Sequence, residues 1–318
     1  MDIDILLWLQ GLREAMPSFV EKFFVVISAI AINPALALVP CIIYWCIDKR
    51  KGTLVMLAFT ISSLAVNLIK SIACIYRPWI RSTLIHPSEQ ALPEATGYSF
   101  PSGHTQGATS LIGGAGTYFR DKGKHIPIVC WIFVVLVGFS RCFLGVHTPQ
   151  DVLVGFLVGL AGILCAEPLL NRMEASERHA RTLVIVAIVL AVAAIAYGVL
   201  KPYPNDIVDG KLLMDTAPMK KNTVESASLF AGAMLGWYLE RRFVGFSADA
   251  TAHSMKTNVI RVAIGAVLVV ALRYGLSLPL EGIVDSLVID FIKNFNTSFG
   301  AMFLAPWVFW TLERKRAA

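Results

Sequence analysis

Three short polar clusters interrupt an otherwise apolar sequence, and each contains residue types suited to handling a phosphate group. In the first cluster, Lys70 is followed seven positions later by Arg77, which precedes Pro78. A separation of seven is about two helical turns, so the two cations would share a helix face and could clamp one anion. The alternative is two ordinary cations at a helix end, whose charged heads reach toward the membrane surface.

The second cluster is the string Pro101-Ser102-Gly103-His104. Ser102 is a candidate N-cap, and Gly103 would let a ligand approach the backbone where a helix begins. A helix that starts there directs its unpaired N–H groups and the positive end of its dipole toward an anion. The same string is also compatible with an ordinary turn and cap that binds nothing.

The third cluster runs from Arg141 through His147 to Asp151. Thr148 and Pro149, with Asp151 three residues after the threonine, predict a helix start with a capping box. In one interpretation Asp151 only caps this helix. In the other, Asp151 accepts a hydrogen bond from one ring nitrogen of His147, which leaves the other nitrogen as a nucleophile.

The composition places these clusters in a membrane protein. The 318 residues are 56% hydrophobic and 16% charged, with a mean hydropathy of +0.65, whereas soluble domains carry about 25% charged residues. The net charge is +6, but the basic residues lie in short clusters between apolar segments, which argues against nucleic acid as a partner. The six cysteines show no paired metal-ligand spacing, so we expect them to be free thiols.

Apolar segments recur along the whole chain, and a spanning helix needs about 20 mostly apolar residues. They predict one all-α, polytopic membrane bundle of about nine transmembrane helices, with the Gly-rich third segment packed inside. The predicted spans are residues 22–46, 53–70, 104–119, 126–141, 149–169, 181–199, 224–240, 257–275 and 298–312. Residues 1–18 are expected to form an interfacial amphipathic helix.

Clusters of Lys and Arg fall in alternate connections, and this pattern predicts the orientation of the chain. Because cytoplasmic loops carry the excess of these residues, we expect the N-terminus outside and the C-terminus in the cytoplasm, in the inner membrane of a bacterium. All three polar clusters would then emerge on the extracytoplasmic side. Ionisable residues near the bilayer are functional candidates, and their convergence on one side favours phosphoryl transfer.

Together the clusters resemble the tripartite signature of the type 2 phosphatidic acid phosphatase superfamily, which is Lys-x6-Arg-Pro, Pro-Ser-Gly-His and Ser-Arg-x5-His-x3-Asp. The chain matches every defining position, over residues 70–151. The resemblance implies a six-helix catalytic core, which we place in residues 19–170. Residues 171–318 would add further helices to the same membrane domain.

The resemblance also implies a role for each signature residue. His147 would attack phosphorus and form a phosphohistidine, Asp151 would orient its ring, and His104 would protonate the leaving oxygen. The expected phosphate-binding residues are Lys70, Arg77, Ser102, Gly103 and Arg141. Such a mechanism needs no metal or cofactor.

The sequence therefore predicts an integral membrane phosphatase for a lipid phosphate or isoprenoid diphosphate, with its site outside the cytoplasm. Two alternatives stay open: a phosphatase for a soluble ester such as a sugar phosphate, and a transporter or binding protein that retains the anion site. Glu225, Arg261 and Arg273 in the later helices either line a cavity or pair with other side chains. The pattern does not specify the oligomeric state.

Overall fold

Helices form nearly all of the regular structure in the computed structural model, which describes residues 2–208, 211–248 and 254–317. The helices are α1 (Asp2–Ala15), α2 (Ser18–Ile32), α3 (Leu38–Ile42), α4 (Lys49–Ala73), α5 (Pro78–Arg81), α6 (Gly103–Ala108), α7 (Gly114–Tyr118), α8 (His125–Phe143), α9 (Pro149–Ala175), α10 (Glu177–Leu200), α11 (Ala217–Phe243), α12 (Met255–Gly275), α13 (Ser286–Phe299) and α14 (Ala305–Ala317). The described strands, β1 (Ile207–Val208) and β2 (Lys211–Leu212), form one short antiparallel pair. The predicted all-α class is confirmed.

Six helical segments among the described residues are long and apolar enough to cross a membrane, judged by length and composition. They are Ser18–Ile47, Lys49–Arg81, His125–Phe143, Pro149–Ala175, Glu177–Leu200 and Met255–Leu280. The other three predicted spans are also helical. Residues 104–118 run through α6, a π-helical turn (Thr109–Gly113) and α7, residues 224–240 lie in α11, and residues 298–312 run from the end of α13 through a π-helical turn (Gly300–Leu304) into α14. The chain is an all-α polytopic membrane protein, and the full count of nine spans stays a prediction.

The first predicted span, residues 22–46, is not one uninterrupted helix. α2 ends at Ile32, and Asn33 leaves the helical region with φ −58° and ψ 127°. The cause is Pro34, because the residue before a proline is disfavoured in the α conformation. The Asn33 side chain then accepts the N–H of Ala35 at 2.9 Å and caps the next short turn. The apolar pattern predicts this segment correctly but not its break.

Glycines let α9 approach α6 closely. A Cβ on Gly155 would lie 2.4 Å from the carbonyl oxygen of Ser102, and one on Gly159 would lie 2.9 Å from that of Gln106. Such contacts with backbone leave no room for a side chain, so these two small residues allow the close approach of the helices. The contact holds the second polar cluster against the start of α9.

The C-terminal helices pack on the same core through a second glycine pair and through hydrogen bonds. A Cβ on Gly232 of α11 would lie 2.4 Å from Ser298 Oγ. Trp45 Nε1 donates to the carbonyl of Ala301 at 2.8 Å, which joins the first spanning segment to the last one. The later helices therefore belong to one packed bundle with the earlier ones.

Two arginines within the later helices have polar partners. Arg261 donates to the two carboxylate oxygens of Glu313 at 2.8 and 2.9 Å, and to the carbonyl of Trp45 at 2.8 Å. Arg273 donates to side-chain oxygens of Asn294 and Thr297, both at 3.1 Å. The two arginines therefore link helices to one another.

All six cysteines are free thiols, as predicted.

Candidate active site

The first cluster does not form one helix face, so the argument from helical spacing is wrong. α4 ends at Ala73, and Cys74 adopts the left-handed conformation with φ 48°. Arg77 lies beyond the helix in extended conformation, with φ −63° and ψ 151°, because it precedes Pro78. Lys70 and Arg77 nevertheless donate hydrogen bonds to the same loop, residues 96–99.

Arg77 joins this loop to the third cluster. Its Nε and Nη2 donate to the carbonyls of Gly97 at 2.9 Å and Thr96 at 2.7 Å. Its Nη1 donates to the carbonyl of Val146 at 3.0 Å and lies 3.0 Å from Nε2 of His147. The guanidinium is buried, and it places positive charge directly beside the candidate nucleophile.

The contact with Arg77 determines which nitrogen of His147 carries the proton. A guanidinium has no lone pair to offer, so Nε2 must accept this hydrogen bond and the ring proton belongs on Nδ1. Nδ1 lies 3.4 Å from Asp151 Oδ2, a distance that bound substrate commonly shortens in such sites. A lone pair on Nε2 with a carboxylate behind Nδ1 is the arrangement that a nucleophilic imidazole requires.

Asp151 makes the contacts of a helix cap and also faces the imidazole of His147. Its Oδ2 accepts the N–H of Thr148 at 2.8 Å, and its own N–H donates to the Thr148 hydroxyl at 3.4 Å, which is the predicted capping box. The same carboxylate oxygen faces His147. Asp151 therefore caps α9 and aligns the imidazole at once.

Ser99 is a site residue that the sequence reasoning missed. Its hydroxyl donates to Asp151 Oδ2 at 2.5 Å and lies 3.4 Å from His147 Nδ1. Lys70 Nζ donates to the carbonyls of Ser99 at 3.3 Å and Tyr98 at 2.8 Å, so the loop that carries Ser99 is held by a buried cation. In the sequence, Ser99 lies three residues before Ser102 of the second cluster. Spacing alone, however, does not indicate a contact between this serine and the distant His147.

Arg141 is fully buried, yet Nε and Nη2 of its guanidinium have no hydrogen-bond partner among the described residues. Its Nη1 donates to the Ser28 hydroxyl and lies 3.9 Å from Glu94 Oε2. Leaving buried N–H groups unpaired is costly. These two nitrogens are therefore suited to binding an anion.

His104 lies in the first turn of α6, with its Nε2 3.4 Å from Glu94 Oε2. The hydrogen bond from His104 and the charge of Arg141 hold the pKa of the Glu94 carboxyl below its usual value, although partial burial opposes them. No spacing in the sequence requires Glu94 here. The structure brings its carboxylate to both of these site residues.

Ser102 is the N-cap of α6, as predicted, because its hydroxyl accepts the N–H of Thr105 at 3.4 Å. Its own N–H donates to the carbonyl of Asp151 at 2.8 Å, which ties the second cluster to the third. A Cβ on Gly103 would meet no described atom within 4 Å. Protein packing therefore does not demand this glycine, whereas a ligand at the helix start would.

The charges of the clusters converge on His147, whose side chain is 2% exposed. Burial, and then the positive charges of Arg77, Arg141 and Lys70, hold the pKa of its imidazole well below the usual range. The ring is therefore neutral near pH 7, and its lone pair is available for attack. Among the residues that the structure describes, no group of three or more His, Cys, Asp and Glu side chains is arranged to hold a metal ion.

Comparison with known proteins identifies the family. The PAP2 superfamily model matches residues 51–173, and the model for the transmembrane extension of PAP2 superfamily phosphatases matches residues 224–317. Undecaprenyl-diphosphatase BcrC of Bacillus subtilis is 32% identical over 147 residues, which cover 45% of this chain and 71% of that protein. The chain belongs to the PAP2 superfamily. All the signature residues of this PAP2 protein fall inside the first matched segment.

Two further relatives match over shorter stretches of the chain. Undecaprenyl-diphosphatase of Sulfolobus acidocaldarius is 32% identical over 35% of this chain and 51% of its own length. Phosphatidylglycerophosphatase B of Bacillus subtilis is 34% identical over 34% of this chain and 53% of its own length. The PAP2 chain thus spans about half the length of these two relatives. No solved structure matches it significantly.

Proposed function

We propose that this PAP2 protein is an integral membrane phosphatase that hydrolyses a lipid phosphate or isoprenoid diphosphate through a phosphohistidine on His147. The observation that carries the proposal is the alignment of Arg77, His147 and Asp151, in which Nε2 holds a lone pair beside a guanidinium. Relatives named as undecaprenyl-diphosphatases and a phosphatidylglycerophosphatase support this class of substrate.

In the first step, Nε2 of His147 attacks phosphorus and the bond from phosphorus to the leaving oxygen breaks. The phosphoryl group takes the place that Arg77 Nη1 occupies beside Nε2, and Arg77 then donates to a phosphoryl oxygen. Asp151 accepts the Nδ1–H of the imidazolium that forms. His104, whose Nε2 faces the carboxylate of Glu94, donates a proton to the leaving oxygen.

In the second step, water attacks the phosphohistidine and His104 accepts the proton of that water. The bond between phosphorus and Nε2 breaks, inorganic phosphate leaves, and His147 regains its lone pair. Both steps concentrate negative charge on the phosphoryl oxygens, and stabilising this charge is the main catalytic task in phosphoryl transfer.

Five groups would stabilise that charge without a metal ion. The unpartnered nitrogens of Arg141 and the N–H of Gly103 face no competing protein acceptor among the described contacts. Lys70 already donates to two carbonyls, which leaves one ammonium hydrogen, and the Ser102 hydroxyl accepts from Thr105, which leaves its own proton to donate. Lys70 therefore acts in this scheme mainly by holding the loop, with Arg77 closest to phosphorus.

The proposed site faces the extracytoplasmic side of a bacterial inner membrane, with the N-terminus outside and the C-terminus inside. The alternating basic connections support this orientation. In this proposal α1 is an interfacial helix, because Arg13 donates to carbonyls of Phe143 and His86 while Trp8 is 67% exposed. The domain boundaries at residues 18 and 170 remain part of this proposal.

The test is phosphate release by the detergent-purified protein with EDTA present. The substrates are phosphatidate, undecaprenyl diphosphate and glucose 6-phosphate, and the variants are His147→Ala and, as a control, His179→Ala at an exposed position of α10. We expect metal-independent release that His147→Ala lowers by at least about 10³-fold, while His179→Ala retains it. An acid-labile phosphoprotein should appear in rapid-quench samples of the wild type. No release from any substrate would instead indicate a transport or binding role.

A further inference from the structure

Lys201, the residue that follows α10, caps the C-terminus of α4. Its Nζ donates to the carbonyl of Ser71, to the carbonyl of Ile72 at 3.4 Å and to Cys74 Sγ at 3.3 Å. These three acceptors match the three hydrogens of an ammonium group. α4 ends at Ala73, and the last carbonyls of a helix have no partner within it. A cation at this position also complements the helix dipole.

Two tyrosines lie around the same ammonium group. The ring centroids of Tyr197 and Tyr203 are 5.9 and 5.4 Å from Lys201 Nζ, within the distance of about 6 Å that characterises a cation–π contact. Tyr197 belongs to the last turn of α10, and its carbonyl accepts the N–H of Lys201 at 2.9 Å. The backbone of Lys201 is therefore fixed to α10 while its side chain is fixed to α4.

The turn that Lys201 caps has a strained backbone. Cys74 adopts the left-handed conformation with φ 48° and ψ 40°, and its N–H donates to the carbonyl of Lys70 at 3.1 Å. Glycine is the usual residue at such a helix end, because a Cβ is unfavourable there. Here the thiol of Cys74 takes part in the cap, since it donates to the Ser71 carbonyl at 3.2 Å and accepts from Lys201. The contacts of Lys201 thus converge on the strained turn.

A buried row of hydroxyl groups fixes the same turn to α10 and α11. The hydroxyl of Tyr203 lies 3.1 Å from Ser71 Oγ and 3.0 Å from the carbonyl oxygen of Gly198 in α10. On its other side, Ser71 Oγ lies 3.3 Å from Thr223 Oγ1 in α11. The side chains of Ser71 and Thr223 are fully buried. The end of α4 is therefore joined to both of the long helices that follow α9.

The residues on either side of this turn hold the loop beside the candidate active site. Before it, Lys70 Nζ donates to the carbonyl of Ser99 at 3.3 Å. After it, the carbonyl of Ile75 accepts the N–H of Ser99 at 2.7 Å. The Ser99 hydroxyl donates in turn to Asp151, the carboxylate that faces His147. A shift of the turn would therefore change the position of the carboxylate behind the proposed nucleophile.

We propose that Lys201 is a positioning residue of the phosphatase, which holds the end of α4 and, through Lys70, the loop that carries Ser99. Lys201 lies outside residues 51–173 and 224–317, the two segments that the family models match. In the proposed orientation it also lies outside the cytoplasm, where Lys and Arg are scarce, so membrane topology does not account for this lysine. The inference rests on the proposed function and concerns how its site is held, whatever the substrate.

The experiment compares Lys201→Met, which removes the charge, with Lys201→Arg, which keeps a charge and several donors. The control is Lys221→Met, which changes a lysine of α11 whose side chain is 53% exposed. Phosphate release from phosphatidate and from undecaprenyl diphosphate is measured below the melting temperature of every variant. We expect Lys201→Met to lower kcat by about tenfold with both substrates and to change KM little, because a small misplacement of catalytic groups slows the reaction. Lys201→Arg should recover most of this loss, and Lys221→Met should match the wild type.

A double-mutant cycle with Lys70→Met shows whether Lys201 acts through Lys70. If it does, the double variant should be little slower than Lys70→Met alone, because the cap then has no ammonium group left to position. Losses that multiply would mean that the two lysines act independently, and a lower melting temperature with unchanged kcat would make Lys201 a stabilising cap only. Either result would overturn the positioning role and leave the phosphatase intact. A wild type that releases phosphate from neither substrate would overturn both.

Discussion

The imidazole of His147 is held from three sides, and one of the three neighbours has no place in the signature. Arg77 contacts Nε2, Asp151 faces Nδ1, and the Ser99 hydroxyl bridges Asp151 and Nδ1. Because the hydroxyl proton is directed to the carboxylate, a lone pair of the same oxygen can accept the Nδ1–H. Ser99 is therefore a positioning residue for the proposed nucleophile.

Ser99→Ala should lower kcat by about 10- to 100-fold, by analogy with the loss seen when the hydrogen-bond partner of a metal-bound histidine is removed. KM should change little, because the serine lies behind the imidazole and does not face the phosphoryl group. Ser99→Thr keeps a hydroxyl and should recover part of the lost activity. Steady-state phosphate release measures all three proteins.

A suitable control is Ser226→Ala, which removes a buried hydroxyl of α11 that donates within its own helix. It should leave both constants near their wild-type values. If Ser99→Ala raised KM and left kcat unchanged, or if threonine gave no recovery, the positioning role would be wrong.

The signature residues were predictable because each is tied to a local pattern, a cap or a charge beside a helix end. His104, His147 and Asp151 lie where those patterns place them. Ser99 and Glu94 were not predictable in the same way, since their contacts form only when the long loop of residues 82–102 folds back over the bundle. Loop residues follow no helical or strand periodicity, so the sequence does not indicate which residues they contact.

At the scale of helices, the apolar segments of the sequence predicted where the spanning helices lie, but they predicted the helix ends less accurately. α4 ends one turn before Arg77, with Cys74 in left-handed conformation, so a spacing that suits a continuous helix was misleading. A residue before proline is disfavoured in the α conformation, and this rule correctly predicts that Arg77 is not helical. The contact of Gly155 and Gly159 with α6 was not predictable in the same way, because glycine spacing does not identify the partner helix.

Two glycines beside the site give opposite expectations when each is replaced by alanine. Gly155→Ala puts a Cβ 2.4 Å from the Ser102 carbonyl and should push α6 from α9, which destabilises the protein by about 1–3 kcal/mol. It should also reduce activity, because Ser102 donates to the Asp151 carbonyl. Gly103→Ala meets no described atom within 4 Å, so stability should hold while the added methyl group obstructs phosphate.

Thermal unfolding in detergent and phosphate release distinguish the two changes. Gly11→Ala, at a position of α1 where a Cβ also meets nothing within 4 Å, is the control for both measurements. Full activity in Gly103→Ala would remove the helix start from the proposed phosphate site. An unchanged melting temperature in Gly155→Ala would contradict the close contact between α9 and α6.

At the scale of the whole molecule, the helices from α11 onward contact the part of the chain that carries the signature residues at both ends of the bundle. The buried guanidinium of Arg261 ties α12 to Glu313 and to Trp45 at one end. At the other end, Met219 of α11 packs against Gly97 in the loop beside the site. The helices from α11 onward are therefore packed against the loop beside the candidate site.

The orientation of this bundle can be tested at two exposed loop positions. In a background with the six cysteines replaced by serine, Glu89→Cys lies in the long loop near the site and Lys122→Cys lies in the basic connection before α8. Because Lys and Arg concentrate in cytoplasmic loops, we expect a membrane-impermeant maleimide to label position 89 in intact cells. Position 122 should be labelled only after permeabilisation. The reverse pattern would place the site in the cytoplasm and restrict the substrates to that leaflet, while the chemistry at His147 would stand.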